Sequence, residues 1–163
     1  MILVEGDGSF QLNIQEMSTL SSFNLPICLI IMNNKGYASI RNTQKNYFDS
    51  RFVGTGPEAN LMLPDLKKIA HSYNVPYIKI SKASEIKQKM NKAMKLKWPI
   101  LIDVHLVSNE VLIPKVSAIP NADGSIISMP LEDMSPLLSI ETLKKEMIIE
   151  ISKASYEARK NKK

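Results

Sequence analysis

Short apolar stretches that alternate with helical patterns constrain the fold of this chain more than any other feature. The clearest is Ile27–Met32, a continuous apolar run of the kind buried on both faces of a parallel sheet. Three further strands are predicted over Ile2–Glu5, Val75–Ile80 and Pro99–Leu106. Helices are predicted between them over Phe10–Phe23, Pro64–Tyr73 and Ser84–Lys97, the first with Ser9 as N-cap. This alternation predicts an α/β, doubly wound parallel sheet with helices on both faces.

The sequence changes character after Leu106. Four prolines break up the following stretch, and Asn121–Gly124 is predicted to be a turn. A last helix is predicted from Ile140 to about Arg159. We therefore expect residues 1–108 to carry the sheet, and residues 109–163 to be a C-terminal loop-and-helix tail that wraps the same domain.

Composition excludes some classes of function. The formal net charge is +5, but much of the excess lies at the C-terminal end or around the solvated side of the predicted helix Ser84–Lys97. No aromatic residues interleave with these lysines, so we expect no nucleic-acid partner. No apolar run approaches the roughly 18 residues of a membrane span, and we expect neither a membrane partner nor a signal peptide. The lone Cys28 lies in a predicted buried strand, which favours a core thiol and a reducing, cytoplasmic location.

Two strand ends carry residues suited to ligand binding. The first strand ends in Gly6-Asp7-Gly8-Ser9 and the second in Asn33-Asn34-Lys35-Gly36-Tyr37. The carboxyl ends of neighbouring parallel strands meet at one edge of a sheet, which is where open α/β sheets bind ligands. Asp7 offers a carboxylate and Asn34 an amide oxygen, both hard ligands for Mg²⁺, while Gly8 and the following helix start suit an anion. Each motif alone is more often a plain turn, but together they predict a site for magnesium and a diphosphate.

The same residues carry a resemblance to a known family. Gly6-Asp7-Gly8 followed some two dozen residues later by Asn33-Asn34 resembles the diphosphate-binding signature of thiamine diphosphate enzymes. The stretch GDGSFQLNIQEMSTLSSFNLPICLIIMNNKGYASIRNTQ is similar to the acetolactate synthase and pyruvate decarboxylase superfamily throughout, and the likeness extends over nearly the whole chain. It implies the thiamine diphosphate-binding fold. No Gly-x-Gly-x-x-Gly follows the first strand, which excludes a dinucleotide fingerprint.

The resemblance also implies roles for individual residues. Mg²⁺ would be ligated by Asp7, by the side-chain oxygen of Asn34 and by the backbone carbonyl of Gly36. The diphosphate would be held by the amides of Gly8 and Ser9 and by the Ser9 hydroxyl. The full set of cofactor-binding residues that it implies is Gly6, Gly8, Ser9, Tyr37, Ala38, Ser39 and Ile40, the last four in a loop beside the cofactor.

One departure bears on the reaction. Members that only decarboxylate pyruvate resemble each other in having a Glu after the Ile of this loop, where this chain has Arg41. A cation there suits a carboxylate-bearing substrate and favours a carboligase like acetolactate synthase, but Arg41 could equally face solvent. His105 ends a predicted strand without a predicted partner. No catalytic residue is predicted within the chain.

The resemblance implies that part of the active site lies elsewhere. A Glu on a separate pyrimidine-binding domain, in the same enzyme or a partner subunit, would activate the cofactor. We therefore expect an N-terminally truncated cofactor-binding portion of a longer enzyme acting on a small 2-keto acid, inactive alone and homo-oligomeric. The alternatives are part of a 2-keto acid decarboxylase and a non-catalytic α/β interaction module derived from this fold.

Overall fold

A four-stranded parallel sheet forms the centre of the first part of the chain. The computed structural model describes residues 1–108, 110, 113–120 and 126–160. The strands are β1 (Ile2–Gly6), β2 (Cys28–Asn33), β3 (Tyr77–Ile80) and β4 (Ile100–His105). Their order is β1-β2-β4-β3, and every neighbouring pair is parallel. The predicted α/β parallel sheet is confirmed, and so is the adjacency of the first two strands.

Five helices accompany this sheet, and three short 3₁₀ segments lie between them. The 3₁₀ segments are Ile14–Glu16, Pro57–Ala59 and Ala83–Glu85. The helices are α1 (Asp7–Gln11), α2 (Met17–Ser22), α3 (Ala38–Tyr47), α4 (Leu66–Ser72) and α5 (Ile86–Lys95).

The core consists of two clusters of buried side chains, one on each face of the sheet. Because side chains alternate along a strand, Leu29 and Ile31 belong to one cluster while Cys28 belongs to the other. The first cluster includes Met17 of α2 and Ala70 of α4, whereas the second includes Ala93 of α5. Helices therefore cover both faces, as predicted. The free thiol of Cys28 is fully buried, which confirms it as a core residue.

The first predicted helix is wrong in its bounds and in its continuity. Helix α1 begins at Asp7 with Gly6 as N-cap, so Ser9 lies within the first turn and is not the cap. The chain then tightens into an i→i+3 hydrogen bond from the amide of Leu12 to Ser9, and Asn13 leaves the helical conformation before α2 begins. An apolar pattern alone does not reveal such an interruption.

Helix α3 lies where a loop was predicted. Ala38, Ser39 and Ile40 form its first turn and Tyr37 its N-cap position. The helix is almost entirely polar, so it lacks the apolar periodicity by which helices are recognised. It is stabilised instead by polar contacts, since the side-chain amide of Gln44 both donates to the carbonyl of Val53 and accepts from its N–H.

Residues Val111–Lys163 form a second compact unit, distinct from Met1–Glu110. It contains an antiparallel pair, β5 (Ala118–Pro120) and β6 (Ile126–Ser128), and two helices, α6 (Ile140–Glu146) and α7 (Lys153–Lys160). The single helix predicted from Ile140 to Arg159 is wrong, because the chain is extended at Met147. The predicted turn Asn121–Gly124 lies outside the described residues. That this unit wraps the first one stays a prediction.

Exposed apolar side chains line the free edge of the sheet. Among the described residues, strand β1 pairs only with β2, and Ile2, Leu3 and Val4 are 53%, 44% and 59% exposed. The sheet therefore presents apolar surface near the start of the chain. No helix in the described ranges is both long and apolar enough to cross a bilayer.

Candidate functional site

The carboxylate of Asp7 joins the ends of β1 and β2. Asp7 is only 4% exposed, and its Oδ2 accepts a hydrogen bond of 3.0 Å from the amide of Gly36. Its Oδ1 accepts one of 2.9 Å from the amide of Gly8. The parallel register that pairs Gly6 with Met32 brings these two loops to the same edge of the sheet. The two strand ends singled out in the sequence therefore meet at Asp7.

Burial and hydrogen bonding act in opposite directions on Asp7. Removal from water raises the pKa of its carboxyl group above the usual value, whereas the amides of Gly36 and Gly8 lower it. Asp7 has no ion-pair partner within the part of the chain that the structure describes. A cation bound at this carboxylate would offset the cost of burying its charge.

The side-chain oxygen of Asn34, at the same edge of the sheet as Asp7, lacks a hydrogen bond. The Oδ1 atom of Asn34 is buried and has no hydrogen-bond partner among the described residues. Buried polar atoms are nearly always paired, so an unpaired one points to a missing ligand. The residues fit Mg²⁺ in this respect, because an amide oxygen without a protein donor is free to ligate a hard cation.

The carbonyl of Gly36 lies beside the first loop as well. A Cβ atom built on Gly8 would lie 3.4 Å from this carbonyl oxygen, next to the backbone that follows Asp7. The donor set is thus a carboxylate, an amide and a backbone carbonyl. In the described ranges, no group of three or more His, Cys, Asp or Glu side chains could hold a metal unaided. This agrees with the usual binding of Mg²⁺ through one or two carboxylates together with phosphate oxygens.

Gly36 cannot be replaced by a larger residue without rearrangement. Its φ is +138°, and a Cβ atom there would overlap the carbonyl oxygen of Thr55. The preceding Lys35 also has a positive φ of 63°. Two successive residues in this region make a tight turn that presents the Gly36 amide to Asp7.

Gly8 allows a close aromatic contact. A Cβ atom at Gly8 would lie 2.6 Å from the ring of Tyr37, whose own amide donates to the carbonyl of Thr55. The Gly8 amide is already bonded to Asp7, so its implied role toward a diphosphate requires exchange of that bond. Ser9 and Ile40 are exposed, and their contacts with a cofactor stay predictions.

Arg41 contributes to the structure of the site and does not face solvent. It is 6% exposed, and its guanidinium donates to the carbonyls of Ser108 at 2.6 Å and Thr55 at 2.9 Å. Its Nε lies 3.1 Å from a carboxylate oxygen of Glu58. The solvent-facing alternative for Arg41 is therefore wrong, whereas the suggestion that its charge favours a carboligase stays a prediction.

A polar cluster that was not predicted from the sequence lies at the adjacent strand ends. The buried carboxylate of Asp103 accepts from the hydroxyl of Tyr77 at 2.7 Å and from the side-chain amide of Asn33 at 3.0 Å, and lies 3.0 Å from His105. Burial, followed by the bond to Asp103, raises the pKa of Tyr77 above its usual value. The sequence signal that could have indicated this cluster is Asp103 itself, which lies inside the apolar predicted strand Pro99–Leu106. A charge buried in such a strand needs polar partners.

A cavity of about 660 Å³ adjoins this cluster and reaches Asp7. Its volume is within the usual range of small-molecule sites. It lies at the carboxyl ends of the strands, and its lining includes Asp7, Asn33, Lys35, Tyr77, Asp103 and His105.

Comparison with known proteins decides the family. Residues 1–104 match the family model described as thiamine pyrophosphate enzyme, C-terminal TPP binding domain. The chain belongs to this family. The match includes all the strands of the parallel sheet except the last residue of β4, and it includes the Asp7, Asn34 and Gly36 positions. The resemblance inferred from Gly6-Asp7-Gly8 and Asn33-Asn34 is thereby confirmed.

Relatives of this thiamine pyrophosphate-family chain include acetolactate synthases. It is 28% identical over 117 residues to the acetolactate synthase large subunit of Cyanidium caldarium, which covers 72% of this chain and 20% of that protein. The figures are the same for the large subunit of Porphyra purpurea. Acetolactate synthase 2, chloroplastic, of Zea mays is 26% identical over 117 residues, covering 69% and 18%. The chain thus spans about a fifth of the length that these relatives have.

Proposed function

We propose that this chain supplies the Mg²⁺- and diphosphate-binding part of a thiamine diphosphate-dependent enzyme that joins 2-keto acids, as acetolactate synthases do. Asp7, Asn34 and the carbonyl of Gly36 hold the cation, and the loop at Gly8 and Ser9 holds the diphosphate. Carboligation is preferred over simple decarboxylation because the relatives named above are acetolactate synthases.

The observation that carries the proposal is the pair of oxygens at Asp7 and Asn34. The first belongs to a buried carboxylate without an ion-pair partner, and the second is a buried amide oxygen without a donor, both within the described residues. Burying the charge of Asp7 and leaving the Asn34 oxygen unpaired both cost stability, and a chain that kept this fold only as a binding module would have no physical need for either. One bound cation offsets both.

The roles of protein and cofactor divide in the usual way for cofactor enzymes. Thiamine diphosphate, when bound, supplies an electron sink for breaking and forming carbon–carbon bonds next to a carbonyl. The chain's own residues bind and orient it. Asp7 fixes the cation and is itself fixed by the Gly36 amide, while Tyr37 packs on Gly8 beside the loop. No residue of this chain is assigned a proton-transfer step.

The proposal includes further partners. A pyrimidine-binding domain, from the same enzyme or a partner subunit, provides the Glu that activates the cofactor, and the substrate is a small 2-keto acid. The exposed apolar edge at Ile2–Val4 supports association into an oligomer, because exposed apolar patches of this kind mark interfaces. The buried free thiol of Cys28 supports a reducing, cytoplasmic environment.

Calorimetry with two matched ligands tests this function. Thiamine diphosphate should bind the purified chain only when Mg²⁺ is present, whereas thiamine without the diphosphate should not bind under either condition. Pyruvate should not be consumed by the chain alone, since the activating Glu is absent. Equal binding of thiamine and thiamine diphosphate, or binding indifferent to Mg²⁺, would overturn the assignment.

A further inference from the structure

We propose that Asp103 is a positioning residue for the metal-binding turn, defined here as Asn33–Gly36. Asp103 acts through its hydrogen bond to Asn33 and is not among the residues assigned to the cation. This inference rests on the proposed function, since it assumes that Asn34 and Gly36 of the turn ligate Mg²⁺.

Asp103 connects three strands, because it lies on β4 and accepts hydrogen bonds from side chains of β2 and β3. Its side chain is buried near the carboxyl end of β4, and the residue is 3% exposed. One carboxylate oxygen, Oδ1, accepts from the side-chain amide of Asn33 at the end of β2. The other, Oδ2, accepts from the hydroxyl of Tyr77 on β3 and lies within hydrogen-bond distance of His105. The two oxygens therefore have separate tasks, one toward the metal-binding turn and one toward β3 and β4.

Both polar atoms of the Asn33 side chain and its backbone carbonyl form hydrogen bonds. Its Nδ2 donates to Asp103 at 3.0 Å, and its backbone carbonyl accepts from the amide of Leu106 at 2.8 Å. Its Oδ1 accepts from the amide of Lys35 at 3.2 Å, within the turn itself. The bond to Asp103 fixes the orientation of the Asn33 side chain, and this orientation determines whether Oδ1 can receive the Lys35 amide.

The turn needs such an anchor because its backbone is in an unfavourable region. Lys35 has a φ of +63° and Gly36 one of +138°, and a non-glycine residue at positive φ costs about 1–3 kcal/mol unless the surroundings enforce it. Asp7 and Thr55 hold the far end of the turn, at Gly36 and Tyr37. Asp103 holds the near end, at Asn33. Asn34, with its unpaired buried oxygen, lies between the two anchors.

Residues that orient metal ligands through hydrogen bonds have measurable effects on the affinity for the metal. Loss of a hydrogen-bonding partner that orients a ligand commonly weakens metal binding by about 10–100-fold. The chain offers a matched pair of variants, because each removes one hydrogen bond to the same carboxylate. Asn33→Ala removes the bond on the side of the turn, and Tyr77→Phe removes the bond on the side of β3.

The experiment measures the Mg²⁺ dissociation constant of the full chain at saturating thiamine diphosphate by calorimetry, together with the melting temperature of the metal-free protein. Mn²⁺ binding followed by electron paramagnetic resonance gives an independent readout.

Asn33→Ala and Asp103→Ala should each raise the dissociation constant about 10-fold or more. The double variant should bind no more weakly than the weaker-binding single variant, because each single variant already removes the bond between Asn33 and Asp103 on which the Lys35 contact depends. Tyr77→Phe, which keeps the ring in the cavity lining and loses only the hydroxyl bonded to Asp103, should lower the melting temperature but raise the dissociation constant less than Asn33→Ala does.

Asp103→Asn provides the conservative rescue. Its amide oxygen can accept from Asn33 while its NH₂ group donates to the hydroxyl of Tyr77, so Mg²⁺ affinity should stay within about threefold of the original chain. If Asp103→Ala does not fold, Asn33→Ala and Asp103→Asn still decide the question.

The outcomes separate this inference from the proposed function. Unchanged Mg²⁺ affinity in Asn33→Ala, in a chain whose parent binds Mg²⁺ and thiamine diphosphate, would overturn the positioning role alone. Equal losses of affinity in Asn33→Ala and Tyr77→Phe that follow their losses of stability would also overturn it. A parent chain that shows no Mg²⁺-dependent binding would overturn both.

Discussion

The Oδ2 atom of Asp7 accepts a hydrogen bond from the amide of Gly36 across 29 positions of sequence, at 3.0 Å. This single contact links the loop after β1 to the turn after β2. It also sets the conformation of both loops before any ligand arrives, because the other oxygen of the same carboxylate holds Gly8. The site is therefore organised around a buried negative charge.

Gly36→Ala should destabilise the chain more than Gly54→Ala does. Both glycines have positive φ, but a Cβ atom at Gly36 would overlap Thr55, whereas one at Gly54 would meet nothing within 4 Å. Gly54→Ala should cost only about 1 kcal/mol of unfolding free energy for its backbone conformation, and Gly36→Ala more. Denaturant unfolding of the two variants measures the difference. Equal losses would show that the turn rearranges freely.

Arg41→Lys should lower the unfolding free energy by about 2 kcal/mol or more, because one ammonium group cannot bridge Thr55, Ser108 and Glu58 together. The matched control is Arg51→Lys, since Arg51 is exposed. Chemical denaturation checks the prediction. A change no larger than that of the control would contradict the structural role of Arg41.

The pair of Asp133 and Arg159 in the second unit should make stability depend on pH. Two bonds of 2.6 and 2.9 Å from Arg159 lower the pKa of the buried Asp133 carboxyl group. A lowered pKa in the folded state gives stability that is present above the unfolded value of about 3.9 and is lost as the pH falls through the folded value.

Asp133→Asn should accordingly lower the unfolding free energy at pH 7 by about 2 kcal/mol, the range for a hydrogen bond to a charged group. The difference from the original chain should begin to shrink below about pH 4, where the Asp133 carboxyl group of the unfolded chain takes up a proton, and should shrink further as the folded carboxyl group is protonated at lower pH. Thermal unfolding between pH 3 and pH 7 measures this. A difference that is constant over the whole range would rule out the charge as the cause.

The free edge of β1 should make the chain associate. Val4→Lys places a charge on the exposed apolar edge and should reduce the oligomeric fraction in sedimentation at high micromolar concentration. Val53→Lys, at another exposed valine away from the sheet edge, is the control. A clean monomer for the original chain would contradict the prediction.

The fold was predictable to the extent that burial leaves a pattern in the sequence. Strand β2 is buried between two layers of helices and is apolar up to its last residue, Asn33, so Ile27–Met32 predicted it within one residue. Helix α3 left no such pattern, because polar contacts of Gln44 and Arg41 stabilise it in place of an apolar face. The break between α6 and α7 at Met147 was equally invisible to periodicity.

The candidate site was predictable where its residues lie on the sequence motifs themselves. Gly6-Asp7-Gly8 and Asn33-Asn34 could be placed together because parallel neighbouring strands end at one edge. Asp103 could not be placed, since its partners Asn33 and Tyr77 come from strands whose order in the sheet, β2-β4-β3, differs from their order in the chain. The role of Arg41 depends on three carbonyl and carboxylate oxygens from distant segments, and no local pattern indicates these.

The most direct test is calorimetric titration of Mg²⁺ and thiamine diphosphate into the original chain and into Asp7→Asn, with Asp49→Asn as control. Asp7→Asn keeps the shape of the side chain but removes the buried negative charge, whereas Asp49 is exposed and lies outside the site. We predict Mg²⁺-dependent binding to the original chain and to Asp49→Asn, and at least about 100-fold weaker binding to Asp7→Asn, since the loss of a direct ligand exceeds the loss of a supporting group. Binding to Asp7→Asn as tight as to the original chain would contradict the site.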